Sequence, residues 1–104
     1  MSERNHVWNV SVAMTPALVD ALKQQASHTT LRDVYETAAK EFLKRRDAGP
    51  VQYQPAPKDS RQKTVWLCRS LYESVRQAAE ADKMTISDFL ATAFTDYCTT
   101  KGAL

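Results

Sequence analysis

One pattern runs through this chain twice: a short alternating strand followed by two amphipathic helices, first over residues 10–43 and again over residues 63–98. In the first copy Val10, Val12 and Met14 alternate with Ser11 and Ala13; in the second Val65 and Leu67 alternate with Thr64 and Trp66. Such alternation sends one set of side chains to each face of a strand. A lone strand leaves its backbone donors and acceptors unpaired, so two copies imply that each strand is the partner of the other.

The two copies keep register. Met14, Leu18 and Leu22 match Leu67, Leu71 and Val75 at a constant offset of 53. In the following helix Leu31, Val34, Ala38 and Phe42 match Ile86, Phe89, Ala93 and Tyr97 at an offset of 55. The second copy therefore carries two extra residues between its helices, expected in the inter-helix turn because loops tolerate insertion. An internal repeat of this kind constrains the fold more than any local propensity does.

With 104 residues in all, each copy has roughly 40 residues, a size at which an independent core is usually inadequate. The copies must pack on one another or on another chain. No apolar run approaches the ~20 residues of a membrane span. Met1-Ser2-Glu3-Arg4-Asn5 lacks the apolar core of a signal peptide, so a cytoplasmic protein is expected, with no membrane partner.

Cys68 and Cys98 form no metal-ligand spacing and no disulfide framework. Cys98 lies at a core phase, where cysteine acts as a small hydrophobe. Both are expected as free structural thiols. His6 and His28 fall in a tail and a turn, with no nucleophile or carboxylate at a telling spacing. Two glycines exclude a glycine-rich phosphate loop. These features argue against an enzyme and require neither cofactor nor metal. The net charge is +2, and residues 1–47 and 48–104 each hold seven Lys/Arg against six Asp/Glu. That is not the strongly basic balance that announces a nucleic-acid binder unaided, so local charge placement must carry any such affinity.

Along the chain, residues 1–6 are polar. A strand is expected over Val7–Met14, Trp8 extending its apolar face. Thr15-Pro16 supplies an N-cap and a first-turn proline, and a helix follows to about Ser27 with Leu18, Leu22 and Ala26 in line. Ser27-His28-Thr29-Thr30 breaks the pattern and caps the next helix, whose core side is Leu31, Val34, Tyr35, Ala38, Phe42 and Leu43. Asp47-Ala48-Gly49-Pro50 stops it. Residues 48–60, with Pro50, Pro55 and Pro57, read as an extended linker able to reach ~40 Å. The second strand is expected over Gln62–Leu67 and the third helix over Arg69–Ala81. A turn Asp82-Lys83-Met84-Thr85 then leads to a last helix lined by Ile86, Phe89, Leu90, Ala93, Phe94, Tyr97 and Cys98. Residues 99–104 are expected to fray. The organisation is a first repeat over 7–46, a Pro-rich linker over 47–60 and a second repeat over 61–98, the repeats together forming one structural domain.

The run Val10-Ser11-Val12-Ala13-Met14-Thr15-Pro16, with Leu18, Leu22 and Thr30-Leu31-Arg32-Asp33-Val34, resembles the ribbon-helix-helix superfamily of DNA-binding proteins, the Arc, MetJ and CopG type. Thr64-Val65-Trp66-Leu67, Leu71-Tyr72-Glu73, Val75 and Thr85-Ile86-Ser87-Asp88-Phe89-Leu90 carry the same likeness in the second copy. Two units in one polypeptide are similar in architecture to conjugation accessory proteins of the TraY type and to the VirC-type proteins of T-DNA transfer. The resemblance implies a mainly α fold with one two-stranded antiparallel β-ribbon, a tandem ribbon-helix-helix forming an intramolecular pseudo-dimer. Such units often bind side by side on DNA, and strand exchange between two chains is the rival arrangement.

The resemblance also implies roles. The outward ribbon face enters the major groove, which admits two strands; here that face is Asn9, Ser11 and Ala13 with Gln62, Thr64 and Trp66. Asn and Gln suit adenine, Ser and Thr bond either way, and apolar atoms meet a thymine methyl. Trp66 departs from the small polar residues usual there, and suits thymine methyls or a protein-binding face. The second helix of each repeat starts where family members hold a phosphate on backbone N–H groups, here Thr29, Thr30 and Leu31, and Lys83, Thr85 and Ile86. Thr30 and Thr85 serve equally as helix caps. Lys58, Arg61 and Lys63 form a basic run entering the second strand, a backbone-contacting arm or a solvated charge run, and Arg4 and His6 stand similarly before the first. The implied function is sequence-specific binding of double-stranded DNA, as transcriptional regulator or as plasmid or conjugative-transfer accessory protein. The alternative is a protein-interaction or antitoxin-like module on the same scaffold.

Overall fold

The computed structural model describes residues 7–27, 29–49, 51–53 and 58–103, with the side chains of Val7 and Trp8 outside that description. The chain runs β1 (Val7–Met14), α1 (Pro16–Gln25), α2 (Leu31–Ala48), β2 (Arg61–Cys68), α3 (Arg69–Ala81) and α4 (Ile86–Thr100). It is mainly helical, with one antiparallel two-stranded sheet made by β1 and β2.

The helices start where the sequence supplies caps. The hydroxyl of Thr15 accepts from the Leu18 N–H at 3.1 Å, that of Thr30 from Asp33 N–H at 3.1 Å, and that of Thr85 from Asp88 N–H at 3.0 Å. Each such cap contributes about 1 kcal/mol. Pro16 takes the first helical position, where its missing N–H costs nothing. Cys68 takes the N-cap position of α3 without a side-chain capping bond, its sulfur lying 3.6 Å from the Ser70 hydroxyl.

The register of the sheet has its own symmetry. Ser11 faces Thr64, its counterpart at the repeat offset of 53. Asn9 faces Trp66, the counterpart of Ala13, while Ala13 faces Gln62, the counterpart of Asn9. Pairing is thus two-fold about Ser11 and Thr64.

The copies also interlock. The inner strand residues Val12, Met14, Val65 and Leu67 are buried together with Leu22, Val75, Phe89 and Phe94. Helix α4 packs on β1 and α2 packs on β2, so each copy's last helix covers the other copy's strand. Helices α2 and α4 meet through Tyr35 and Phe94, centroids 5.2 Å apart, and through Phe42 and Phe89, 5.2 Å apart and edge to face. Arg45 on α2 adds an ion pair to Asp96 on α4 and a 3.0 Å bond to the Thr100 hydroxyl.

Three expectations are corrected. The two extra residues of the second copy do not lengthen its turn. Helix α3 has 13 residues against 10 in α1, and the connector shortens from residues 26–30 to residues 82–85. The shorter turn closes because Met84 N–H reaches Ala79 C=O at 2.8 Å and Lys83 N–H reaches Glu80 C=O at 3.1 Å, with Lys83 left-handed at φ 59. Residues 99 and 100 do not fray: α4 runs through Thr100, and Gly102 at φ 78 lets Ala103 N–H bond Cys98 C=O at 2.8 Å. The segment after α2 is no free spacer in its described part. Val51 and Tyr53 pack on the core, the Tyr53 ring lying 5.7 Å from Phe42 and 5.8 Å from Phe89. The prolines expected to extend it lie outside the described residues.

Candidate nucleic-acid interface

Strand periodicity sends Val10, Val12 and Met14 toward the helices and leaves Asn9, Ser11 and Ala13 on the other face; in β2 it leaves Gln62, Thr64 and Trp66 there. The six expected reading residues are therefore three facing pairs on one surface: Asn9 with Trp66, Ser11 with Thr64 and Ala13 with Gln62. Asn9, Ser11, Gln62 and Thr64 are exposed, Ala13 is half-buried, and Trp66, at 45% exposure, is the exposed large hydrophobic of the described chain. None of the four polar side chains is hydrogen-bonded among the described residues, so amide and hydroxyl groups are open to an outside partner.

Each outer edge of the ribbon donates one hydrogen bond to a helix side chain. The Ala13 N–H donates to the Ser87 hydroxyl at 3.1 Å, and the Cys68 N–H to the Glu36 carboxylate at 2.8 Å. These two N–H groups point away from the partner strand. Asn9–Trp66, Ser11–Thr64 and Ala13–Gln62 are then the closely approaching, non-hydrogen-bonded pairs of the ladder. Each of these bonds occupies an edge N–H that a further strand would otherwise pair with.

The helix starts look different from an open phosphate cradle. At α2 the Thr30 hydroxyl is taken by the Asp33 N–H, and Thr29 donates its hydroxyl to the Asp33 carboxylate at 2.7 Å. The hydroxyls of Thr29 and then Thr30 hold the Asp33 carboxyl below its usual range. At α4 Thr85 is likewise taken by Asp88 N–H. Leu31 and Ile86 are half-buried against the core. Asp33 and Asp88 thus bring a negative charge to each start, where the helix dipole already favours one. Lys83 is exposed at the turn before α4.

Lys58 is exposed in the turn before β2. Arg61 and Lys63 are exposed too, but on the helix side of the ribbon, opposite Met14 and Val12. The structure does not bring them together with the six outward residues; it brings them to Lys23 on α1, a cation the sequence pattern did not single out. Arg4, His6 and His28 lie outside the described residues.

Several arginines are paired with nearby carboxylates. Arg76 is held by Glu73 at 2.8 Å and Glu80 at 3.1 Å, and Arg32 meets Glu36 at 3.5 Å. Arg46 grips Asp82 through two bonds of 2.7 and 3.0 Å, and Asp82 also accepts from the Tyr53 hydroxyl. The Arg46 guanidinium and the Tyr53 hydroxyl hold the Asp82 carboxyl down to about 2, while burial and then the bond to Asp82 push the Tyr53 phenol up to about 12. This cluster ties α2, the following segment and the α3–α4 turn. A lone aromatic within a Pro- and Gln-rich stretch was its one signal in the sequence. Burial alone raises the Cys98 thiol, so this sulfur packs rather than reacts.

Among the described residues no helix is long and apolar enough to cross a membrane, and no group of His, Cys, Asp and Glu is arranged to hold a metal ion. In comparison with known proteins, no family model, curated protein or solved structure matches the chain.

Proposed function

We propose that this chain is a tandem ribbon-helix-helix protein that binds double-stranded DNA in sequence-specific fashion, its outward ribbon face lying in the major groove. One polypeptide supplies both strands, so a single chain acts as a pseudo-dimer. The observation that carries the reading is the set of three outward pairs centred on Ser11 and Thr64. Two strands about 4.8 Å apart fit a groove about 12 Å wide. Along them amides and hydroxyls are free of internal bonds and suited to base edges. Asn9 and Gln62 are the adenine readers, Ser11 and Thr64 adaptable contacts at the centre, and Ala13 and Trp66 the apolar contacts. Lys83, with Lys58, contributes backbone charge. The chain acts by binding, as a transcriptional regulator or a transfer accessory protein.

The second reading is a protein-docking module on the same scaffold. Asp33 and Asp88 at the helix starts and the exposed Trp66 favour it. Selection from a randomised duplex pool separates the two. Enrichment of a motif by the intact chain, lost on joint Asn9→Ala and Gln62→Ala substitution with the fold retained, supports major-groove reading. Absence of any enrichment by the intact chain overturns it in favour of docking.

A further inference from the structure

The two ends of the ribbon differ more than their duplicated plan requires. At one end Asn9 faces Trp66, and the inner row holds Val10 opposite Val65. At the other end Ala13 faces Gln62, and the inner row of β2 turns basic, with Lys63 opposite Val12 and Arg61 opposite Met14. The counterparts of Arg61 and Lys63 in the first copy are the uncharged Trp8 and Val10. Among the described residues of β1 and β2, the two charged side chains, Arg61 and Lys63, stand at this one end, while Arg69 follows the other end at the start of α3.

The Arg61 end is also concave. Arg61 and Lys63 from β2 line a recess of about 230 Å³ with Lys23 and Asp20 from α1 and the apolar Met14 and Val19. Three cations face one carboxylate, and none of the three has an ion-pair partner among the described residues. In the other copy the counterpart of Lys23 is Arg76, locked between Glu73 and Glu80. The second copy's helix cation is tied up on its own helix, whereas Lys23 of the first copy stays available beside Arg61 and Lys63 from the second copy's strand.

The geometry points to this recess as an anion site that takes a phosphate group. On a duplex it grips the backbone at the Ala13–Gln62 end only, and so sets the direction in which the chain lies on DNA. The directional part rests on the duplex-binding reading above. Apart from Trp66 against Ala13, the two reading edges are chemically alike, an amide and a hydroxyl on each strand, so the polar base contacts discriminate weakly between the two orientations. Backbone contacts fix orientation without reading sequence, and cations that neutralise phosphates do so by releasing counterions. A one-ended cation cluster is therefore what an almost two-fold ribbon needs to bind one way round.

Two measurements on the full chain test the site and the direction separately. The first titrates inorganic pyrophosphate, without DNA, into labelled protein followed by amide NMR. Shifts concentrated at residues 19–23 and 61–63, lost in the Lys23→Gln/Lys63→Gln variant, are expected; their absence in the intact chain overturns the anion site. The second uses a duplex from the selection, with single phosphates replaced one at a time by neutral methylphosphonates. Sensitivity on one flank is expected for the intact chain and not for the double variant, whose log–log salt dependence should fall by about two. A Lys40→Gln/Lys44→Gln control, removing equal charge from α2, should keep the one-sided pattern. Symmetric sensitivity in the intact chain, or equal behaviour of the two variants, overturns the directional grip. Failure of the intact chain to bind any duplex overturns the DNA reading and its direction, while the pyrophosphate titration still decides the recess. Circular dichroism confirms that each variant is folded.

Discussion

Ser11 and Thr64 face each other across the ribbon, and each is the other's counterpart in the repeat. A register in which equivalent residues pair with themselves puts a two-fold relationship at the centre of the outward face. It converts Asn9 and Gln62 into matching outer positions and leaves Ala13 against Trp66 as the main chemical difference between the halves. The two reading triplets are therefore closer to equal than their letters suggest, and the preferred duplex should be a palindrome broken at one end.

Replacing Trp66→Ala should remove that break. Both ends of the outward face would then carry one amide and one methyl, and the motif recovered from a randomised pool should become more nearly palindromic. Retention of the same asymmetric motif would show that the indole reads no base. Each lost bidentate amide contact, tested by Asn9→Ala or Gln62→Ala alone, should cost ~1–3 kcal/mol of discrimination.

Lys83 holds a left-handed backbone with a side chain that disfavours it. Lys83→Gly should raise unfolding free energy by about 0.5–1 kcal/mol in a urea titration. The same change removes a cation beside α4, so duplex affinity should fall and the salt slope flatten by about one. Stability and affinity moving in opposite directions would separate the backbone role of this residue from its charge.

Tyr53 ties the segment after α2 to Phe42, Phe89 and Asp82. Tyr53→Ala should destabilise by about 2–3 kcal/mol, somewhat less than deletion of a fully buried ring. Tyr53→Phe keeps the ring contacts and should cost less. Equal losses from the two variants in denaturant titrations would locate the whole effect in the hydroxyl.

The same cluster gives stability a pH dependence. The folded Asp82 carboxyl, at about 2, lies below its unfolded value. Its contribution is complete above the ordinary carboxylate range near ~4 and is lost as pH falls toward about 2. The folded Tyr53 phenol, at about 12, lies above its unfolded value, so its contribution is complete below ~10 and disappears between there and about 12. Asp82→Asn should flatten the acid limb of a stability–pH curve measured by chemical denaturation. An unchanged acid limb would assign it to other carboxylates.

Because α4 covers β1 and α2 covers β2, neither copy owns a complete core. Peptides of residues 1–53 and 54–104 should each show little helix by circular dichroism and regain it on equimolar mixing. A folded single peptide would mean that one copy can satisfy its own strand, against the interlocked packing.

Much of the architecture lies in local chemistry and was legible in the residues themselves. Alternation placed Val12 and Met14 inward, the threonine caps started three of the four helices where expected, and the repeat offset carried the core of one copy onto the other. These follow from periods of 2 and 3.6 residues and from capping, which depend on near neighbours in the chain. Other features depend on groups far apart in sequence, and only the tertiary structure decided them. Register between β1 and β2 made three facing pairs of six separate residues. The closing of the fold brought Lys23 of α1 beside Arg61 and Lys63 at the start of β2, turning a basic run into a recess on the helix side. Tyr53 became an anchor because Asp82 and Arg46, 29 residues later and seven earlier, converge on it. The placement of two extra residues in α3 rather than in its turn was settled by whether residue 83 adopts a left-handed conformation, a choice its lysine side chain does not announce. Pattern alone shows which side of an element is buried; what meets across the core, and which charges remain unspent at the surface, comes from how the elements close on one another.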